Sequence, residues 1–187
     1  MSIITRTDRL LLLPLDVTHT EEAFKVYGDP RIWEHRPQAR HESARETLAL
    51  IDHAQQCWAQ YGLGPWAVYL RDQPTEFIGV GGLEGVANRV WDLKFRLRPE
   101  KWGHGYATEV AERALLEASR CETSLPVSAR VTVNHPVSIR VLEKLGLHAV
   151  WEGRRVRTED DPSEPLVRIY SNEDLDETTL SILQARP

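Results

Sequence analysis

The sequence predicts an α+β fold in which a mostly antiparallel sheet contains one parallel β-α-β crossover and has helices on both faces. The order of the elements supports this prediction: a run of strands is followed by strand, helix, strand, helix and two further strands. A helix between two neighbouring strands implies a right-handed parallel connection. The length of 187 residues fits a single domain, residues 1–187, that can bury a core without disulfides or metal.

Strands are predicted where aliphatic and aromatic residues cluster between turn signals. The predicted strands cover residues 9–14, 66–70, 77–83, 91–97, 127–133, 149–155 and 166–171. In residues 127–133, valine and alanine alternate with polar side chains, which is typical of a half-buried strand.

Two helices in the first half of the chain are predicted from capping signals. Thr18 with Glu21, and Ser43 with Glu46, have the spacing of a capping box, which opens a helix. Gly28 follows the first predicted helix, and a glycine at residue 62 can close the second. The side chains expected on one face of the second helix are Leu48, Ile51, Gln55 and Trp58.

Two more helices are predicted in the second half. Between Gly105 and Ser119, apolar side chains recur at helical spacing. Pro136 suits the first turn of the last predicted helix, which ends before Gly146. Loops are expected at residues 34–42 and 158–165, and the second is acidic and proline-containing, so it is expected to be exposed.

Composition narrows the function classes. The chain has 28 Asp+Glu against 23 Lys+Arg and a formal net charge of −5, which argues against a nonspecific nucleic-acid binder. The apolar run near the start is far shorter than the ~20 residues of a membrane span, and no charged segment precedes an apolar stretch, so neither a secretory signal nor a membrane partner is expected. Cys57 and Cys121 lie outside any metal-binding pattern, so neither a metal nor a disulfide is expected, and a cytoplasmic location is predicted.

The most informative segment is RPEKWGHGYATE, residues 98–109, which joins a predicted strand to a predicted helix. Gly103 and Gly105 would let a ligand oxygen approach the backbone, and a helix N-terminus offers unpaired N–H groups. Together these features indicate a phosphate or pyrophosphate site, although two glycines can also serve only as a tight turn. A dinucleotide-binding enzyme is disfavoured, because Thr108 stands where that fingerprint has a third glycine.

The segment PEKWGHGYATE resembles the acyl-CoA loop of the GNAT acetyltransferases, and most closely that of the Rim-type branch, which acetylates ribosomal-protein N-termini. RLLLLPL at 9–15 looks like the first strand of that branch, FIGVGGL at 77–83 like its third, and VSIRVLEKLGL at 137–147 like its fourth helix. The resemblance covers most of residues 5–171 in the right order. It implies a GNAT-like acyl-CoA N-acyltransferase fold with acetyl-CoA as cosubstrate.

The resemblance also implies which residues bind CoA. The backbone N–H groups that would hold the pyrophosphate belong to Gly103, His104, Gly105, Tyr106 and Ala107. The strand before the loop, around Phe95 and Leu97, would pair with the pantetheine arm. One departure is Glu100, since the broad family often has Arg or Gln at that position.

The proton donor to the departing thiolate is expected on the fourth helix. Many GNAT enzymes use a tyrosine there, but its position matches Leu142 in this chain. In the Rim-type branch a serine one turn earlier is thought to serve, and it matches Ser138. The family motif is Asn-x-x-Ser, and either His135 replaces the asparagine or Asn134 reaches in after a one-residue shift.

The general base and the acceptor pocket are less well marked. Asp92 stands where the Rim-type pattern often has a glutamate, and Glu84 is the rival carboxylate. Trp33 and His35 lie in the loop that forms part of the acceptor pocket in this family. Tyr170, on the last predicted strand, could face either the pocket or the core.

The predicted function is therefore acetyl transfer from acetyl-CoA to a primary amine, by direct attack in a ternary complex. Three acceptors remain open: a protein N-terminus, a small or aminoglycoside-like amine, and an amino acid. The alternative is a noncatalytic acyl-CoA-binding regulatory module on the same fold. The chain is expected to act as a monomer or a homodimer.

Overall fold

The computed structural model describes residues 4–156, 158 and 161–186. Within them, eight strands form one mixed sheet. The strands are β1 (Thr5–Arg6), β2 (Leu10–Pro14), β3 (Trp66–Leu70), β4 (Phe77–Val86), β5 (Val90–Leu97), β6 (Val127–Thr132), β7 (His148–Gly153) and β8 (Val167–Ser171). Their order across the sheet is β1-β2-β3-β4-β5-β6-β8-β7. The α-helices are α1 (Thr20–Tyr27), α2 (Ala44–Tyr61), α3 (Tyr106–Arg120), α4 (Pro136–Lys144) and α5 (Glu177–Ala185).

Strands β5 and β6 form the one parallel pair among the described strands, and α3 connects them. The prediction of a mostly antiparallel sheet with a single β-α-β crossover is therefore confirmed. The parallel pairing is short, because it joins only Trp91 to Val127 and Asp92 to Ser128. On its other side, β5 pairs with β4 along its whole length. The sheet consequently opens between β5 and β6 beyond Asp92.

Helices cover both faces of the sheet. On one face, Val110, Ala111 and Ala114 of α3 pack with buried residues of β3, β4 and β5 in the main core. On the other, α1 and α2 pack in a second core that includes Ile51 and Val80. The alternation of side chains along each strand, which sends neighbours to opposite faces, supplies both cores. No described helix has the length and apolar character needed to cross a membrane.

Two details of the helices differ from expectation. The first capping box uses Asp16 and His19, not Thr18 and Glu21: Asp16 accepts the Thr18 N–H at 2.9 Å and opens a 3-10 turn before α1. The capping box of Ser43 is confirmed. The expected apolar face of α2 is wrong in part, because Leu48 and Gln55 are exposed. The buried side chains of α2 are Thr47, Ile51, Ala54 and Cys57.

The acidic loop is also not fully exposed, contrary to expectation. Residues 157, 159 and 160 lie outside the described part, but Glu164 is buried. Its Oε1 lies 2.9 Å from Nε of Arg36 and 2.7 Å from Nη1 of Arg155. Two ion pairs offset the cost of burying this carboxylate. The α5 helix was not predicted, and the residue that follows it, Arg186, reaches back to the sheet.

Candidate active site

Two cavities meet at the point where β5 and β6 separate. The first, which we call the loop groove, has a volume of about 510 Å³ and lies between β5, the glycine turn and α4. The second has a volume of about 200 Å³ and contains Arg36, Arg96, Arg130 and Arg155 in its wall, so we call it the arginine pocket. Residues that line both cavities are Phe95, Arg96, His135 and Ser138.

The glycine turn borders the loop groove in the conformation that its sequence predicts. Gly103 and Gly105 have φ angles of 78° and 80°, in the left-handed region that favours glycine. Gly105 is the N-cap of α3, so the N–H groups of the following first turn have no intrahelical acceptor. They lie at the positive end of the helix dipole. This end of the groove is therefore suited to an anion.

The predicted CoA-binding residues divide into two groups. Phe95, Leu97, Gly103, Gly105, Tyr106 and Ala107 all line the loop groove. His104 does not line it, and its carbonyl instead accepts a hydrogen bond from Nη1 of Arg9 at 2.7 Å. Lys101, Arg140 and Lys144 also line the groove and add positive charge.

Arg9 braces the glycine turn from the start of β2. Besides the bond to His104, its Nε lies 2.7 Å from Oε2 of Glu109, and its guanidinium lies 4.7 Å from the centre of the Tyr106 ring. Glu109 also accepts hydrogen bonds from the Arg9 N–H and from the Thr7 hydroxyl. Nothing in the local sequence pattern links residues 7 and 9 to residues 104–109, so sequence reasoning missed this brace.

Ser138 lies on the wall that the two cavities share. It is the third residue of α4, and only 9% of its surface is exposed. Leu142, one turn further along, is buried in the main core and contributes an apolar side chain to the wall of the arginine pocket. His135 is the N-cap residue of α4 and lines both cavities. Asn134 lines neither described cavity, and its Nδ2 donates to the carbonyl of His35 at 3.3 Å.

Trp33 and His35 both line the arginine pocket. The Trp33 Nε1–H donates to the carbonyl of Tyr27 at 2.7 Å, and its ring lies 4.9 Å from the guanidinium carbon of Arg96. Burial lowers the pKa of His35 to about 3, with a contribution from His135 and nearby arginines. Burial and Arg96 lower the pKa of His135 to about 4. Both imidazoles are therefore neutral at pH 7.

The two candidate carboxylates lie opposite each other on β4 and β5. Asp92 lines the arginine pocket, and its Oδ2 accepts from Nη1 of Arg186 at 2.8 Å. Its Oδ1 is buried and has no hydrogen-bond partner among the described residues. Glu84 lines neither cavity, and its Oε2 lies 2.6 Å from Nζ of Lys94 and 3.0 Å from Nη2 of Arg186. Burial alone would raise the pKa of Glu84, but these two cations lower it below its usual value.

Tyr170 faces the core and lines neither described cavity, which is one of the two orientations that the sequence left open. It belongs to the main core, and its hydroxyl donates to Oε1 of Glu143 on α4 and accepts from Nη1 of Arg168, both at 3.2 Å. The pairing of β8 with β6 sets this orientation, because Tyr170 lies opposite Ala129, another main-core residue.

The family model described as "Acetyltransferase (GNAT) domain" matches residues 9–148, which is most of the chain. The chain is 23% identical over 145 residues to the "Uncharacterized N-acetyltransferase YoaA" of Bacillus subtilis, a match that covers 76% of this chain and 81% of that protein.

Solved structures that are similar in fold include the following two. One is a putative GNAT-family acetyltransferase from Bordetella pertussis, with a TM-score of 0.75, 16% identity, and coverage of 91% of this chain and 99% of that chain. The other is RimL, a ribosomal L7/L12 α-N-protein acetyltransferase, in complex with coenzyme A. It has a TM-score of 0.72 and 14% identity, and the match covers 92% of this chain and 98% of that chain.

Proposed function

Because the chain belongs to the GNAT acetyltransferase family, we propose that it transfers the acetyl group of acetyl-CoA to a primary amine by direct attack in a ternary complex. The observation that carries this proposal is that the loop groove and the arginine pocket meet at Ser138. One cavity suits the donor and the other the acceptor, so the reacting groups would meet at the shared wall. Holding two reactants in contact is itself a large part of catalysis.

The residues of the loop groove fit an acyl-CoA. Gly103 and Gly105 leave no Cβ between the backbone N–H groups and a pyrophosphate, and a helix N-terminus is suited to such an anion. Phe95 and Leu97 supply an apolar wall for an extended arm, beside the part of β5 that does not pair with β6. When bound, acetyl-CoA supplies the activated acetyl group, and the chain supplies position and proton transfer.

Ser138 is the proposed proton donor to the departing thiolate. Its side chain is largely buried and lines both cavities. A hydroxyl in such a place has few competing partners, and it can donate to a sulfur as negative charge develops there. His135, rather than Asn134, lies beside it on the shared wall. His135 is therefore our candidate for the place of the motif's asparagine.

The attacking amine has to lose its proton before or during the transfer. At pH 7 this costs about 4.6 kcal/mol for a lysine amine of pKa about 10.4, and about 1.4 kcal/mol for an α-amine of pKa about 8. The cations around the arginine pocket favour the neutral amine, since like charges lower the pKa of an ammonium group. Asp92 is the proposed base, because it lines this pocket and has one carboxylate oxygen without a donor.

Direct attack is preferred over an acyl-enzyme because neither described cavity is lined by a thiol. Cys57 lies on α2 and Cys121 follows α3, and burial raises the pKa of both. A raised pKa leaves less of the reactive thiolate at neutral pH. No covalent step on the protein is therefore included in the proposal.

We further propose that the acceptor is a protein N-terminus, as in the Rim-type branch, or a small amine. The test is a panel of amines with acetyl-CoA, read by release of the free CoA thiol. The panel should contain N-terminal peptides, free amino acids, an aminoglycoside and a polyamine. Thiol release that depends on one class of amine supports an N-acetyltransferase and identifies its acceptor. Binding of acetyl-CoA without turnover of any amine would favour the regulatory module.

A further inference from the structure

The charged side chains that line the arginine pocket are mostly cations. In the described part of the chain they are Arg36, Lys94, Arg96, Arg130 and Arg155, against the single carboxylate of Asp92. The histidines of the same wall, His35 and His135, add no charge at pH 7 because their pKa values lie at about 3 and about 4. The pocket is therefore positive, although the chain as a whole has a formal net charge of −5.

Arg96 lies at the junction of the two cavities without a carboxylate partner among the described residues. Its Nη1 donates to the carbonyl of Phe95 at 2.7 Å, its guanidinium lies over the Trp33 ring, and its Nε is buried without a hydrogen bond. Burial lowers the pKa of this guanidinium. A buried cation is costly unless an anion accompanies it. Arg96 therefore has unused capacity to bind an anion.

Arg155 shares its carboxylate partner, Glu164, with Arg36. Its Nη1 lies 2.7 Å from Oε1 of Glu164, but Nε of Arg36 lies 2.9 Å from the same oxygen. The Nε of Arg155 is buried without a partner among the described residues. Burial and the charge of Arg36 lower the pKa of Arg155 to about 10. One carboxylate therefore serves two arginines, and one positive charge is left in excess.

These guanidinium groups converge on one place. Arg36, Arg96 and Arg155 all line the same cavity of about 200 Å³, and all three lie close enough to His35 to oppose its protonation. Asp92 lies in the wall of the same cavity, and its buried Oδ1 has no hydrogen-bond partner among the described residues. The pocket thus combines an acceptor for an ammonium group with a cluster of donors for an anion.

We infer that the acceptor is the small amine rather than the protein N-terminus, that it also carries a carboxylate or phosphate group, and that Arg96 and Arg155 bind this group. The inference rests on the proposed function, because it assigns the arginine pocket to the acceptor. A guanidinium is suited to this role, since its planar donors match both carboxylate and phosphate. The volume is below the about 300–1,000 Å³ of drug-sized sites, so the ligand is small. A polycation is disfavoured by the same arginines.

Two matched pairs of amines test the inference and separate the two anions. L-Alanine against L-alaninamide tests a carboxylate, and O-phosphoethanolamine against ethanolamine tests a phosphate. Spermidine serves as the polycationic probe. Each compound is added to the CoA-saturated protein for a thermal-shift measurement, and to the acetyl-CoA reaction for thiol release. We expect the anionic member of at least one pair to raise the melting temperature and to have a kcat/KM at least about tenfold above its partner.

Substitutions of Arg96 and Arg155 test whether these arginines bind the anionic group of the acceptor. In Arg96→Gln and in Arg155→Gln we expect the ratio of kcat/KM between the members of a pair to fall toward one. In Arg96→Lys part of the ratio should remain. Since the ratio is measured within each variant, a general loss of activity or of folded protein does not change it. Arg120→Gln is the control, because Arg120 is exposed at the far end of α3.

The outcomes separate this inference from the proposed function. If acetyl-CoA gives no thermal shift and no amine is turned over, the proposed function fails, whereas binding of an anionic probe would still support the arginine site. If acetyl-CoA is used but the neutral amide, ethanolamine or spermidine is preferred, the function stands and the inference is overturned. Absence of binding by both anionic probes, or a ratio that survives in both glutamine variants, also overturns it.

Discussion

The imidazole rings of His35 and His135 stack face to face, with their centres 4.2 Å apart and an angle of 4° between their planes. His35 belongs to the loop that follows Trp33, and His135 is the N-cap residue of α4. The stack thus joins the wall of the arginine pocket to the helix that carries Ser138. Burial lowers the pKa of both imidazoles and Arg96 lowers both further, so the stack consists of two neutral rings at pH 7.

This stack predicts a dependence of stability on pH. The pKa values in the folded protein, about 3 and about 4, lie below the usual 6.5, so the unfolded chain binds more protons between those values. Stability should therefore fall as the pH decreases from about 6.5 toward 4. The double variant His35→Phe/His135→Phe keeps two stacked rings but cannot be protonated. Its melting temperature should decrease less over this range.

The comparison isolates the two histidines, because His41 and the ion-paired carboxylates are present in both proteins. Melting temperatures are measured from pH 7.5 to pH 4 at constant ionic strength. Parallel curves for the wild type and the double variant would show that the stack does not resist protonation.

Acetyl-CoA or CoA should raise the melting temperature of the protein. A ligand at 100 times its dissociation constant adds about 2.7 kcal/mol to the free energy of unfolding. Gly105→Asp should abolish the shift, because it introduces a side chain and a negative charge at the N-terminus of α3. The matched control is Gly146→Asp, since Gly146 has a nearly equal φ of 81° but lines neither cavity. An equal loss of the shift in both variants would point to backbone strain alone.

Ser138→Ala should lower kcat more than it weakens acetyl-CoA binding. A group that donates to the departing thiolate acts mainly in the transition state, so its loss affects turnover and leaves the thermal shift nearly unchanged. Single-turnover kinetics would measure the chemical step directly. Ser119→Ala, on the exposed side of α3, is the control. A chemical step of unchanged rate would remove Ser138 from the mechanism.

His135→Ala and Asn134→Ala should differ in their effects. His135 lines both cavities, whereas the Asn134 side chain lines neither and donates to the backbone carbonyl of His35. We expect the loss of His135 to raise KM for acetyl-CoA or to lower kcat, and the loss of Asn134 to leave both within about twofold. Steady-state kinetics with both variants tests this order. The reverse order would assign the asparagine place of the motif to Asn134.

Local patterns in the sequence predicted the parts of the site that depend on neighbouring residues. The glycine turn is one example: Gly103 and Gly105 take left-handed φ angles, and α3 begins just after them. The position of Ser138 on the first turn of α4 follows from Pro136, which suits a helix start. The first capping box was misplaced because Asp16 competes with Thr18 for the same role, and local spacing does not decide between them.

Long-range contacts account for what the sequence could not reveal. The cations of the arginine pocket come from four separate stretches of the chain, and no periodicity connects them. Glu164 is predicted to be exposed because its neighbours are acidic residues and prolines. It is buried instead, because its carboxylate forms ion pairs with Arg36 and Arg155. Arg186 contacts Asp92 across 94 positions of sequence. Each of these contacts joins residues that are far apart in the sequence and that come together only when the sheet has formed.

The two carboxylates on β4 and β5 should respond differently to removal of their charge. Asp92→Asn keeps the size of the side chain and removes the proton acceptor from the arginine pocket. If Asp92 is the base, the variant should lose roughly 10²–10⁴-fold in rate at pH 7. Part of this loss should return at higher pH, where more of the amine is already neutral. Glu84→Gln should lower the melting temperature and spare the rate, because Glu84 forms ion pairs with Lys94 and Arg186 but does not itself line either cavity. The measurement is kcat/KM for the amine from pH 6 to pH 9.5.

Loss of rate in Glu84→Gln with full activity in Asp92→Asn would move the base to Glu84. Full activity and unaltered pH profiles in both would show that neither carboxylate takes the proton. An α-amine would then be favoured over a lysine, because its neutral fraction at pH 7 is already about a tenth.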